Sequence, residues 1–191
     1  EQLSRLRYPA VLGEYQGGCG TAGGGMGERA LIFEDARGFA GAIDDIHGEN
    51  GGVLLGLDLG TRTIGTATCD AGWRFATNGT TVSRGKWGRD RETLAALIAA
   101  RGVKGIVLGL PRNMDGSEGP RAQSSRAYAR NCADAFALPI LLWDERWSTQ
   151  AAEAAMIGQD MSRAKRAAAI DSHAAAVILQ GAIDRLAGGV L

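Results

Sequence analysis

Three acidic side chains stand where an acid is costly unless something meets it. Asp58 lies late in the apolar run "VLLGLDLG" (53–60), Glu145 follows "PILLW" within "WDERWST", and Asp171 precedes the small residues Ala174, Ala175 and Ala176. A buried charge normally escapes its cost by shifting its pKa, finding a partner or binding a metal. Strand ends are where open α/β sheets bind ligands, so Asp58 and Glu145 are placed to converge. Three carboxylates in one cleft repel one another unless a cation neutralises them. With oxygen donors and no Cys or His cluster, that cation is one or two Mg²⁺ or Mn²⁺ ions. A divalent pair held this way clamps the attacking and leaving oxygens of a phosphodiester displacement. Plainer roles compete. Asp58 also suits a turn, Asp144 competes with Glu145 for one face of the strand, and Asp171 suits a helix N-terminus.

The elements that must position these acids follow from patterning. "VLLGLDLG" and "TIGTATCD" read as buried strands, and "RFATNGTTV" as a third with a turn or bulge at Asn78-Gly79. "RETLAALIAARG" has helical spacing and a closing glycine. "KGIVLGLP" is a further strand, and "PRAQSSRAYARNCADAFAL" a helix opened by Pro120. "PILLWDE" is a last strand, followed by a helix in "STQAAEAAMIG" with a Ser/Thr cap and by "AIDSHAAAVILQGAIDRL". Three strands, then alternating helix and strand, predict an α/β sheet of mixed direction with parallel strands in its later half.

At 191 residues the chain suits one domain with a substantial core. Residues 13–27 hold eight glycines in fifteen positions, so 1–27 is expected to be disordered, with Met26 a candidate true start. Residues 28–52 read as a short N-terminal segment, with a small helix in "ALIFEDARGFAGAI" and a linker in "HGENGG"; 53–187 reads as the main domain. No apolar run is long enough to span a membrane, and no secretory signal is visible. Cys19, Cys69 and Cys132 are odd in number and have no C-x-x-C spacing, which argues against a disulfide framework or zinc site and fits the cytoplasm. Net charge is zero, yet residues 28–58 sum to −5 and residues 84–130 to +6, a pointer to an anionic partner.

"GLDLGTRTIGTATCD", "GLPRNMDGSEGPRA", "LWDERWST" and "MSRAKR…IDSHAAAVILQ" together resemble the YqgF/RuvX family over roughly residues 53–187. That family comprises nucleases assigned to processing the 5′ end of precursor 16S ribosomal RNA, and is also described as Holliday-junction resolvase-like. The resemblance implies a ribonuclease H-like fold, a mixed five-stranded sheet flanked by helices. It implies Asp58, Glu145 and Asp171 as the catalytic, metal-binding set, and water attack on phosphorus leaving a 5′-phosphate. Trp147, where leucine is more frequent, and His173 depart from the family pattern without removing a carboxylate.

Substrate contacts are expected from the residues around these acids. Thr61 shapes the turn after Asp58, Arg112 lies in the loop after "KGIVLGLP", and Arg121 adds charge to the helix start at Pro120, where free N–H groups favour a phosphate. Arg163, Lys165 and Arg166 of "SRAKR" are expected in a loop before the final helix. Arg84, Lys86, Arg89 and Arg91 surround Trp87 as a charged stacking surface. The expected partner is nucleic acid, structured RNA first and a DNA junction second, on a pre-ribosomal particle, with no membrane and with the protein a monomer or weak dimer. A junction resolvase, which needs two sites and so a dimer, and a non-catalytic nucleic-acid-binding module are the rival functions. An actin-like or sugar-kinase ATPase, suggested by "DLGT", lacks room for its second domain.

Overall fold

The computed structural model describes residues 31–47, 51–147 and 163–187, with 47, 147 and 163–172 described by backbone alone. The expectations for 1–27, for most of the linker and for the helix in "STQAAEAAMIG" lie outside the described residues. The elements run β1 (Ile32–Phe33), α1 (Ala36–His47), β2 (Val53–Leu59), β3 (Thr63–Cys69), β4 (Ala76–Asn78), β5 (Val82–Ser83), α2 (Trp87–Arg101), β6 (Val103–Leu110), α3 (Pro120–Phe136), β7 (Ile140–Asp144), a 3-10 turn (Glu145–Trp147) and α4 (Arg163–Ala187).

One mixed sheet in the order β1-β7-β6-β2-β3-β4 forms the centre, with β5 also paired to β3. β1, β7, β6 and β2 are mutually parallel neighbours, and β2, β3 and β4 form an antiparallel meander. The carboxyl ends of β1, β7, β6 and β2 therefore share one edge. Five strands carry the expected mixed arrangement, and two short ones are additions. β5 exists because the third strand breaks at Gly79. The Gly79 N–H donates to Thr66 O at 2.7 Å, and the Thr66 hydroxyl donates to Thr80 O at 2.6 Å. A Cβ at Gly79 would meet the Thr66 hydroxyl, so the break needs glycine.

Alternation along the strands divides the core in two. Leu55, Leu57, Ile106 and Leu108 pack under α2 and α3 against Leu94, Tyr128, Ala129 and Phe136. Leu54, Val107 and Leu141 pack under α1 and α4 against Phe39, Ile43, Ala175 and Leu179. Gly56 lets α4 settle, since a Cβ there would lie 2.8 Å from Leu179 Cβ and 2.9 Å from Ala175 O. The alanines of the last helix serve this close approach.

The N-terminal segment adds to this core. β1 extends the sheet, and α1 starts where Asp35 accepts the Gly38 N–H at 2.6 Å, an N-cap that sets the helix later than the apolar pattern alone suggested. Phe39 and Ile43 are fully buried. Ile43→Val is accordingly expected to cost about 1 kcal/mol in urea unfolding; an unchanged midpoint would mean α1 is not packed in solution.

Two further expectations are corrected. α2 begins at Trp87, not Arg91, because the buried Asp90 carboxylate accepts the Gly85 N–H at 2.8 Å and organises the first turn. Trp87 is half-buried rather than free among the basic residues: it packs edge-on to Tyr128, ring centroids 5.3 Å apart, and against Phe136. The described cysteines behave as small apolar residues. Both are buried, and burial pushes the Cys132 thiol up to about 12. Among the described residues no helix is long and apolar enough to cross a membrane.

Candidate active site

Asp58 sits on β2 beside Gly56, on the sheet face covered by α4, and is half-buried. β6 lies between β2 and β7, so an acid at the end of β7 must reach across it to meet Asp58. Gly109 of β6 opens that path. A Cβ on Gly109 would lie 2.5 Å from Glu145 Oε1 and 2.8 Å from Ile178 Cδ1, so the Glu145 carboxylate occupies the space a side chain would take. Burial and the Asp58 charge together raise the Glu145 carboxyl to about 7, Arg121 opposes the rise, and Asp144 adds to it. Asp58 and Arg121 thus both act electrostatically on Glu145.

The competition between Asp144 and Glu145 has a structural resolution. Arg146 grips Asp144 through Nε at 3.0 Å and Nη2 at 2.6 Å, and the Arg146 hydrogen bond holds the Asp144 carboxyl below its usual value. Asp144 is committed to that pair, which leaves Glu145 over Gly109.

Glu145 has a folded pKa above its unfolded one, so the stability it contributes is fully present below about pH 4.5 and is lost as pH rises through about 7. Glu145→Gln removes that dependence. Thermal melts of the metal-free proteins should show the variant gaining stability relative to the parent between about pH 5 and pH 8. Parallel pH profiles would contradict the burial of this carboxyl.

On the other side of Asp58 is a hollow of about 200 Å³ lined by Gly60, Thr61, Arg84, Arg121 and Ser124. Thr61 and Arg121 are both exposed there. Arg84 donates to Gly60 O at 2.7 Å and to Ser124 Oγ at 3.0 Å, tying the turn after β2 to α3. Gly60 serves the tight turn, since its Cβ position lies 3.0 Å from Thr63 O.

Arg112 is placed differently from expectation. Its guanidinium is engaged by Glu34 at 2.7 Å and Glu118 at 3.1 Å, with Asp144 at 3.7 Å. Arg126 joins the same two glutamates at 2.7 and 2.6 Å, and with Arg112 holds the Glu118 carboxyl near about 2. These pairs bind β1 to the loop after β6 and to α3. Glu34 and Arg126 were not singled out in the sequence, because their partners are distant in the chain.

Arg163, Lys165 and Arg166 lie within α4, not in a loop before it. "RAKRAAA" holds strong helix formers and no Gly or Pro to stop the helix. Asp171 is consequently inside the helix, one turn before Ala175, and not at its N-terminus. The side chains of all four lie outside the described residues. Among the described residues no three potential ligands converge. Asp58 and Glu145 fit a hard divalent cation: both are oxygen donors, and burial first, then the Asp58 charge, disfavours the ionised Glu145 that such an ion would stabilise.

The fold is a mixed α/β sheet flanked by helices, with Asp58 and Glu145 towards the carboxyl ends of its parallel strands β2 and β7. The chain belongs to the RuvX family, whose model, described as "RuvX: Holliday junction resolvase", matches residues 52–185. A protein of Novosphingobium aromaticivorans, named "Putative pre-16S rRNA nuclease", is 69% identical over 138 residues, 72% of this chain and 88% of that protein. A Sphingopyxis alaskensis protein of the same name is 57% identical over 156 residues, 82% of this chain and 99% of that protein. A solved structure described as T. thermophilus RuvC in complex with Holliday junction substrate aligns with a TM-score of 0.49 at 14% identity, covering 72% of this chain and 97% of that one.

Proposed function

We propose that residues 53–187 form a metal-dependent nuclease that processes the 5′ end of precursor 16S ribosomal RNA in the cytoplasm, acting on structured RNA within a pre-ribosomal particle as a monomer or weak dimer. The observation that carries the chemistry is the Glu145 carboxylate lying over Gly109, where it feels the charge of Asp58. The substrate assignment is supported by the relatives, named pre-16S rRNA nucleases, at 69% and 57% identity.

In this reading Asp58, Glu145 and Asp171 hold one or two Mg²⁺ or Mn²⁺ ions. The bound cation supplies charge neutralisation and Lewis acidity at the phosphodiester oxygens. Arg121 and Thr61 bind the phosphate beside the turn after β2, with the uncapped N-terminus of α3 adding its N–H groups. Arg163, Lys165 and Arg166 hold the backbone further along the strand. Arg112, paired to Glu34 and Glu118, fixes the β6–α3 loop and contributes to substrate binding through that positioning. Water would attack phosphorus as the bond to the 3′ oxygen breaks, and the departing oxygen would take up the proton that water loses, leaving a 3′-hydroxyl and a 5′-phosphate.

The test presents two labelled substrates, a precursor 16S 5′ fragment and a four-way DNA junction, each with Mn²⁺ or Mg²⁺. Trimming of the RNA alone is the expected result. Paired symmetric nicks in the junction with the RNA untouched would assign the chain to the resolvases instead. Tight binding without cutting of either would leave a binding module.

A further inference from the structure

Beyond the carboxylate pair, the same edge of the sheet carries a larger cleft of about 650 Å³, within the size range of ligand pockets. Half-buried Trp143 gives it an apolar surface above the buried Leu110 and Leu142, and the β1–α1 junction and the last turn of α4 bring charge to it. Asp144 and Arg146, the chain neighbours of Glu145, line it.

Its charges sort into satisfied and unsatisfied groups. Glu34 is taken up by Arg112 and Arg126, Asp144 by Arg146, and Asp35 by the first turn of α1. Every acid in the lining therefore has a partner. Arg37 and Arg185 are exposed and have no hydrogen-bond or ion-pair partner among the described residues. Two uncommitted guanidinium groups beside an apolar, tryptophan-containing surface suit one kind of ligand, a single strand of nucleic acid: arginine meets phosphate and the apolar lining meets bases.

We infer that this cleft binds the single-stranded RNA segment flanking the scissile phosphate, with Arg37 and Arg185 contacting its backbone. The ligand class rests on the nucleolytic reading above. One wall of the cleft comes from residues 34–37, upstream of the family match that begins at residue 52. The site is thus a property of chains that carry the β1–α1 segment, and it extends the substrate path away from the α3 hollow. The ion pairs of Glu34 with Arg112 and Arg126 hold that wall against the β6–α3 loop, so the cleft is formed before the strand arrives.

The experiment compares the full chain with an Arg37→Gln, Arg185→Gln double variant, both positions being exposed and outside the catalytic set. Binding of a short labelled single-stranded RNA in chelator should weaken about tenfold, and the slope of log affinity against log salt should fall by about 1.4, or about 0.7 per lost phosphate contact. In cleavage assays KM should rise with kcat little changed. A folded variant, judged by circular dichroism and melting temperature, with unchanged affinity, salt slope and KM would overturn the inference and leave the nuclease intact. Weakened RNA binding in the variant, with a parent chain that cuts nothing, would support the cleft as a binding site and overturn only the nuclease reading.

Discussion

Asp58→Asn should lower metal-dependent cleavage by at least about 10³-fold while leaving the fold intact. Asparagine keeps the size of the side chain, so the half-buried position between β2 and α4 suffers no void or clash. What is lost is charge. A neutral amide is a poor ligand for a hard divalent cation, and the remaining carboxylates would hold the ion less tightly and less precisely. The substitution has a second, independent signature. The Asp58 charge is one cause of the raised Glu145 carboxyl, so the Glu145 pKa should fall in the variant from about 7, though burial, the larger cause, keeps it above 4.5. Carboxyl titration followed by isotope-edited infrared or NMR spectroscopy reads this without any substrate. Activity within tenfold of the parent, or an unmoved Glu145, would remove Asp58 from the centre of the site.

Much of this arrangement was legible before any coordinates. Continuous apolar runs marked β2, β6 and β7 as buried strands, and the mixed direction of the sheet followed from the sequence of elements, because local patterning and tertiary burial agree there. Asp58 and Glu145 stood out because each interrupts or ends an apolar run. What escaped was set by contacts between distant segments. Arg112 looked like a phosphate ligand in a loop, but Glu34, far upstream, claims its guanidinium. Trp87 looked exposed among basic residues, but Tyr128 and Phe136 of α3 cover it. The pattern "AIDSHAAAVILQGAIDRL" starts α4 at Ala169, six residues late, although the preceding "RAKRAA" consists of equally good helix formers. The segment before β2 was given a small helix, and the apolar positions Phe39 and Ile43 were the sign that it packs as part of the core.

Gly109 carries the second large expected effect, and it is the site residue that reading from the sequence passed over. Its signal was present: a glycine inside the buried strand "KGIVLGLP" marks a close approach by another group. That group is the Glu145 carboxylate, with Ile178 of α4 beside it. In Gly109→Ala the new methyl would sit 2.5 Å from Glu145 Oε1 and 2.8 Å from Ile178 Cδ1, so both must shift. Moving Ile178 overpacks the α4 face at about 1–3 kcal/mol. Moving Glu145 should reduce cleavage about 10²-fold, the usual consequence of displacing a catalytic group by about 1 Å. Gly105→Ala, on the same strand and face but at the level of Phe39 and Ile43, separates the two effects. It too crowds the core, with a Cβ 2.9 Å from Phe39 Cζ, yet touches no acid. Comparable destabilisation in both variants, with activity lost only in Gly109→Ala, would show that this glycine exists to let Glu145 reach Asp58. Equal activity in the two would mean that the carboxylate does not need the space above β6.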